Sequence, residues 1–363
     1  MRIGILTFHR ANNYGAFLQA FALNHYLESI GHHVEIVDYW PVGHANVYEL
    51  LNPNWKNQSL MKILKTLISF ALGYSRRKKR KDKMEYLVQK YFNLSLSPKY
   101  EKPEELSSLD YDCVVYGSDQ IWWKSTIPRY EGFDPVYWGE SINPKIKKVT
   151  YAPSMGIIDL TQEDKLQIQK WLKNFDAISV RETELCQAIQ GLTEKSISVV
   201  LDPVFLLSKE EWSKYCVPIN RSKYILYYNL LPSKEADELV KRLQDKWGYD
   251  VIEITGSVNF RKIGKRYIQT VDAFEFISYI KNAEFVVTSS FHGTAFSILF
   301  EKQLYVVGMG KKVGRVKSLL ELLKIDDRVV GVGSSQSKSL NYIPVNSILS
   351  KEIQKSYSFL TKV

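Results

Sequence analysis

Chemistry in this chain of 363 residues concentrates where short apolar runs break into polar loops. Residues 284–300 read EFVVTSSFHGTAFSILF, so a Val-rich run gives way to Ser289 and Ser290, then to Phe291, His292, Gly293 and Thr294. His292 is the one histidine outside the first 44 residues. An imidazole, with an ordinary pKa of about 6.5, can take and return protons near neutral pH. If a helix opens at this turn, the amides of residues 292–294 favour an anion. A histidine that merely caps a helix beside a packed strand would read the same way. Arg181, in ISVRE, stands where another strand meets a helix; pairing with Glu182 or capping that helix is the structural alternative. Asn12, Asn13 and Tyr14 offer acceptor or donor contacts in the first loop, or form an Asn-rich turn. Asp119 and Gln120 follow the run CVVY in the same fashion, where an Asp can equally cap the next helix. His9 shares the first loop, while Trp122 and Trp123 suit packing better than stacking on a sugar. No His/Asp/Glu cluster has ligand spacing, so neither a metal nor a cofactor is expected.

The elements that must position these residues alternate. A strand at 2–7, a helical stretch at 16–30 ended by Gly31, and a strand at 34–39 make a βαβ opening. Its first loop lacks GxGxxG, which disfavours a dinucleotide. Residues 42–108 interrupt the alternation and read as a helical insertion. That insertion holds one amphipathic helix from Leu60 to Ala71, the polybasic run 76–83, and a second helix at 84–92. Strands at 113–116, 147–151 and 177–180 follow, and 198–207 closes a first domain, 1–205. A second domain, 206–345, repeats the pattern, with strands at 224–230, 251–255, 285–288 and 304–308. A final helix within 346–363 is expected to cross back to the first domain. The fold class is α/β, two Rossmann-like domains facing a cleft, with the ligand loops at the carboxyl ends of the strands.

Composition narrows the function. The chain is 45% hydrophobic and 24% charged, an ordinary globular balance, with 23 Tyr and 8 Trp. Its net charge of +10 is local: RRKKRKDK at 76–83 holds seven bases and one acid. That argues for one basic patch and against a nucleic-acid-binding surface. The three cysteines form no CxxC and suit buried thiols in a reducing compartment. No apolar run has the length of a signal peptide or a membrane span, so a cytoplasmic location, peripheral to the inner membrane face, is expected. Residues 60–83 combine an apolar helix face with the basic run and are expected to dock on an anionic membrane. The alternative is a helix packed on its own domain with a solvated charged turn.

Six landmarks in order, NNYGAFLQAFAL (12–23), GSDQIW (117–122), YAPSMG (151–156), ISVRE (178–182), LDPVFLL (201–207) and SSFHGTAFSILF (289–300), resemble the polysaccharide pyruvyl transferase family. The resemblance implies a GT-B-type fold and transfer of the pyruvyl group of phosphoenolpyruvate to a sugar. The product would be a cyclic ketal on a lipid-linked or polysaccharide-precursor hexose, with release of phosphate. It puts the active histidine on His292 and the carboxylate-binding arginine on Arg181. Ser290, Phe291, Gly293, Thr294 and Arg315 complete the donor contacts, with Asn12, Asn13, Tyr14, Asp119 and Gln120 as acceptor contacts. Two departures stand out. Ser290 occupies a position where some members have arginine, which shifts the phosphate onto the 292–294 amides with Arg315, Lys311 or Lys312. Trp123 replaces the Asn of GSDQxWN. The rival reading is a nucleotide-sugar-dependent GT-B glycosyltransferase. Such enzymes commonly hold the ribose with a Glu eight residues after the HG turn, and that position here is Phe300.

Overall fold

Short strands rich in Val, Ile, Leu and aromatic residues, such as CVVY, YILYYN and FVVT, bury both faces inside a parallel sheet covered by helices. In the computed structural model they do so twice. All residues are described except 52–58, 93, 95–98, 128–129, 231–232, 309–313, 331–338 and 363. The chain divides into two compact units: 1–47, 87–207 and 347–363 in the first, 48–86 and 208–346 in the second.

In the first unit, β1 (Arg2–Leu6) lies between β2 (His33–Ile36) and β3 (Cys113–Tyr116), and β3 pairs with β4 (Lys147–Thr150), all parallel. A bridge from Val149 to Ala177 continues this sheet towards the parallel pair β5 (Ile178–Val180) and β6 (Ile197–Val199). Strand order reverses between β1 and β3, and α1 (Tyr14–Ser29) leaves that point. It is buried along most of its length. Aromatic residues fill this core: Trp122 stacks on Trp138 at 4.2 Å between ring centroids, and Trp138 on Trp171 at 5.4 Å. Trp122, fully buried, also donates from Nε1 to the Tyr137 carbonyl at 2.8 Å. Its ring is therefore core, as its surroundings in the sequence suggest. Burial pushes the Cys113 thiol up to about 12, and the three cysteines are free thiols.

The second unit holds six parallel strands, β7 (Tyr224–Asn229), β8 (Asp250–Thr255), β9 (Tyr267–Ile268), β10 (Phe285–Thr288), β11 (Gln303–Val307) and β12 (Val329–Val330). Their order is β9-β8-β7-β10-β11-β12, the doubly wound arrangement, with its reversal between β7 and β10. Helix packing follows the sequence pattern here. The helix Lys234–Trp247 buries Ala236, Leu239, Val240 and Leu243, is capped by Ser233 and stops at Gly248 with φ +66°.

One segment differs from expectation. Residues 60–91 form a single 32-residue helix, α2, rather than two helices with the polybasic run between them. Lys and Arg are good helix formers, and the i,i+4 pair of Lys78 with Asp82 adds to them. Residues 48–86 interrupt the first unit in sequence, as an insertion does, but group with the second compact unit. Specific bonds hold them there: Arg80 donates to the Thr255 carbonyl at 3.1 Å, and Lys83 pairs with Glu275 at 2.6 Å. The last helix, α9 in this fold (Tyr342–Leu360), is shared. Its Tyr342 hydroxyl donates to the Lys302 carbonyl in the second unit, while Ser356 Oγ accepts from the Leu201 amide in the first.

Candidate functional site

Four loops meet at the carboxyl edge of the first sheet. Thr7 Oγ1, just past β1, donates to the Ser118 carbonyl just past β3 at 2.8 Å, so the two strands flanking the reversal are tied at their ends. Ser154 N, past β4, donates to the Asp119 carbonyl at 2.8 Å, and Arg181 N, past β5, to the Pro153 carbonyl at 3.2 Å. Asp119 itself sits at φ +71°, a conformation that costs a non-glycine residue about 1 kcal/mol or more and needs such neighbours to hold it. Its Oδ1 accepts from the Gln120 amide at 2.9 Å. Gly156, at φ +78°, lies under the Gln120 side chain, where a Cβ would come within 2.0 Å of Nε2.

Arg181 is the hub of this edge. Its side chain is 2% exposed; Nη1 donates to Asp202 Oδ2 at 2.6 Å and Nε to Glu182 Oε1 at 3.0 Å. Burial opposes its charge, but Glu182, Asp202 and Asp119 outweigh that and hold its pKa above the ordinary arginine value. Ser118 Oγ approaches the same Asp202 oxygen at 3.0 Å. The expectation of a guanidinium open to a ligand carboxylate meets a difficulty here, because two carboxylates already engage the fork. In the first loop, Asn13 caps α1 by accepting from Gly15 N at 2.9 Å, and Tyr14 is buried as the helix's first residue. Asn12 Oδ1 is buried without a hydrogen-bond partner among the described residues. His9 is fully buried: Nδ1 meets the Thr7 carbonyl at 3.0 Å and Nε2 meets Asp38 Oδ1 at 2.9 Å. Arg10 binds both oxygens of that carboxylate. Although burial alone would raise it, bonds from Arg10 and His9 hold Asp38 well below the usual carboxylate range.

At the carboxyl edge of the second sheet, α7 (Phe291–Leu299) starts directly after β10, at the reversal of strand order. Thr288 Oγ1 donates to the Tyr228 carbonyl at 2.7 Å, Ser289 Oγ bonds Asn229, and Leu230 N donates to Ser289 Oγ at 3.1 Å. These bonds lock the end of β10 to the end of β7. His292, the second residue of α7, is 8% exposed and sits edge-on to Phe291. Ser290 is the N-cap: its Oγ accepts from Gly293 N at 3.3 Å, and its carbonyl accepts from Thr294 N at 2.9 Å. Two of the three amides expected to attract an anion are therefore engaged within the helix start. Arg315 is the second residue of the helix Gly314–Leu322, which packs on α7; Lys311 and Lys312 lie outside the described residues.

The family model described as polysaccharide pyruvyl transferase matches residues 13–310. The chain belongs to that family. It is an enzyme, a pyruvyltransferase of polysaccharide synthesis. Among solved structures it is similar to a protein assigned as a UDP-N-acetylglucosamine 2-epimerase from Listeria monocytogenes, at 9% identity and a TM-score of 0.50 over 99% of this chain and 88% of that one. The UDP-GlcNAc 2-epimerase of Neisseria meningitidis follows at 11% identity and 0.47, over 100% and 92% of the two chains. Heptosyltransferase WaaC of E. coli stands at 12% and 0.41, over 98% and 100%. At such identities the likeness is one of fold, the GT-B-type pair of Rossmann-like domains. No curated protein sequence matches the chain.

Within the transferase, Arg181, Asp119 and Gln120 come together at the first edge, and Ser290, Phe291, His292, Gly293 and Thr294 at the second. Reading the sequence missed Asp202 and Asp38. Each is an acid just past a strand, in LDPVF and VEIVDY, and that position was the available signal. Gly293 has a steric reason: a Cβ there would lie 2.6 Å from Thr288 Oγ1, which already serves Tyr228 and the Ser290 amide. Gly293→Ala is expected to destabilise the protein by about 1–3 kcal/mol through overpacking at the β10–α7 turn. A denaturant midpoint equal to wild type would contradict this.

Proposed function

We propose that this pyruvyltransferase uses phosphoenolpyruvate as donor and forms a cyclic ketal across two hydroxyls of a lipid-linked hexose at the cytoplasmic face of the membrane. The observation that carries the proposal is the position of His292 at the strand-order reversal of the second unit, within a chain that belongs to the family over 13–310. Open α/β sheets bind ligands at such reversals. In this reading the methylene carbon of the donor gains a proton and C2 becomes oxocarbenium-like. One sugar hydroxyl adds to C2 and loses its proton, the C2–O bond to phosphate breaks, and the second hydroxyl closes the ketal. Of the two hydroxyl protons, one balances the methyl group and the other leaves on hydrogen phosphate. His292 is the proton carrier, since a buried imidazole can serve either the protonation of carbon or the deprotonation of a hydroxyl.

The phosphate lies by the start of α7, with Ser290, Phe291, Gly293 and Thr294 around it and Arg315 as counter-charge. Acceptor contacts come from Asn12, Asn13, Tyr14, Asp119 and Gln120; the unpartnered Asn12 Oδ1 suits a sugar hydroxyl. Arg181 receives a positioning role. Beside Asp202, Glu182 and Asp119 a further carboxylate would meet net negative charge, whereas the guanidinium organises the loops that carry Ser118 and Asp119. No metal or cofactor takes part, so chelators should leave the rate unchanged.

Phosphate release tests the proposal, with phosphoenolpyruvate and a panel of lipid-linked and aryl galactosides, glucosides and mannosides. Release that depends on both donor and sugar is the expected result. Turnover of nucleotide sugars with none of phosphoenolpyruvate would favour the glycosyltransferase reading instead.

A further inference from the structure

The first half of α2 presents an apolar face that its own unit does not cover. Among the described residues, eight of the nineteen exposed large apolar side chains belong to this one helix. Leu60 is 85% exposed, Met61 64%, Leu72 58% and Leu64 55%. Helical geometry, at about 100° per residue, sorts them. Leu60, Leu64, Leu67 and Ala71 fall on one line, Ile68 lies beside it, and Lys78 continues it five turns on. Gly73 and Arg80 lie on the opposite side, and that is the side turned to the body of the second unit. There a Cβ on Gly73 would sit 3.6 Å from Val258, and Arg80 bonds the Thr255 carbonyl. The apolar line therefore faces away from the protein that holds the helix.

Charge decides what covers it. From Leu60 to Lys81 the chain has eight Lys or Arg residues and no Asp or Glu. Two of the bases near the body are committed: Arg80 is buried and bonded, and Lys83, just beyond, pairs with Glu275. Lys78, paired with Asp82 one turn on, lies on the apolar line and Lys79 flanks it, while Lys62 and Lys65 are exposed farther round the helix. A second copy of the chain, itself at +10 with the same acid-free segment, is a poor match for this surface. No helix of the described residues is long and apolar enough to cross a membrane. An apolar line bordered by bases, on a helix held from its far side, is the pattern of a helix lying in a lipid–water interface.

We infer that residues 60–79 of α2 dock the enzyme on the surface of an anionic bilayer, apolar line inward and lysines at the headgroups. The inference gives the proposed lipid-linked acceptor a place to be met, yet its test reads binding without turnover, so the two can fail separately. Full-length protein is sedimented with phosphatidylglycerol–phosphatidylcholine vesicles and with phosphatidylcholine alone, at low and high salt. Two variants accompany it, Leu64→Gln with Ile68→Gln, and Lys78→Gln with Lys79→Gln, both leaving Arg80 and Lys83 in place. All the changed residues are exposed and only the surface pair Lys78–Asp82 is lost, so thermal melting should stay close to wild type. Wild type is expected to bind the anionic vesicles and to lose roughly tenfold or more in partitioning at high salt, with a similar loss in each variant at low salt. Wild type left in the supernatant at low salt would overturn the inference. So would either variant binding as well as wild type. Self-association in velocity sedimentation that the Leu64/Ile68 variant abolishes would instead assign this face to a second copy.

Discussion

His292→Ala is expected to lower turnover by about 10²-fold or more, the usual loss when a general acid or base is removed. The imidazole stands at the start of α7, 8% exposed, where the end of β10 is fixed by Thr288 and Ser289 to the end of β7. Such a base makes the site rigid before any substrate arrives, and a proton carrier benefits from that rigidity. Removing the ring leaves the Ser290 cap and the Thr288 bonds in place, so the helix start should survive. Phosphate release measured alongside thermal melting separates a chemical effect from a folding effect. A folded variant with near-normal rates would remove His292 from the chemistry.

Arg181→Met is expected to cost stability first. The change strands Asp202 and Glu182, whose side chains are 0% and 6% exposed, without the base that pairs with both. Breaking a buried ion pair from one side typically costs about 3–5 kcal/mol. Adding Asp202→Asn removes one of the stranded charges and should recover part of the loss, a coupling that a double-mutant cycle reads directly. Arg181→Lys keeps the charge but cannot span Ser118, Asp202 and Glu182 with one fork, so it should fall between the two. Through the loops it displaces, which carry Asp119 and Gln120, it should also weaken acceptor binding. The opposite pattern, unchanged stability in Arg181→Lys with a large loss of phosphoenolpyruvate affinity, would return Arg181 to direct contact with the donor carboxylate.

These two residues mark how far the sequence could be read. Strands such as CVVY and FVVT announce themselves, because a short apolar run ended by Gly, Ser or Thr suits a buried parallel strand and little else. The strand-end positions of Arg181, Asp119 and His292 were legible for the same reason. Their partners were not. Asp202 lies 21 residues beyond Arg181, and only the pairing of strands brings it within 2.6 Å. That Ser290 fills the Gly293 amide depends on a rotamer, which spacing does not specify. The expectation for 60–92 set the polybasic run between two separate helices, while Lys and Arg propagate helix well. Trp122, for which packing was the better reading, joins Trp138 and Trp171 in a buried stack.

The central claim, that phosphoenolpyruvate is the pyruvyl donor and that its methylene carbon is protonated on the enzyme, has one direct measurement. The reaction is run in heavy water with unlabelled phosphoenolpyruvate and a soluble aryl glycoside, and the isolated product is examined by mass and proton spectra. The expected product gains a pyruvyl ketal whose methyl group carries a single solvent deuterium, with one phosphate released for each ketal formed. A sugar product without the ketal, or a ketal whose methyl group holds no deuterium, would contradict the account.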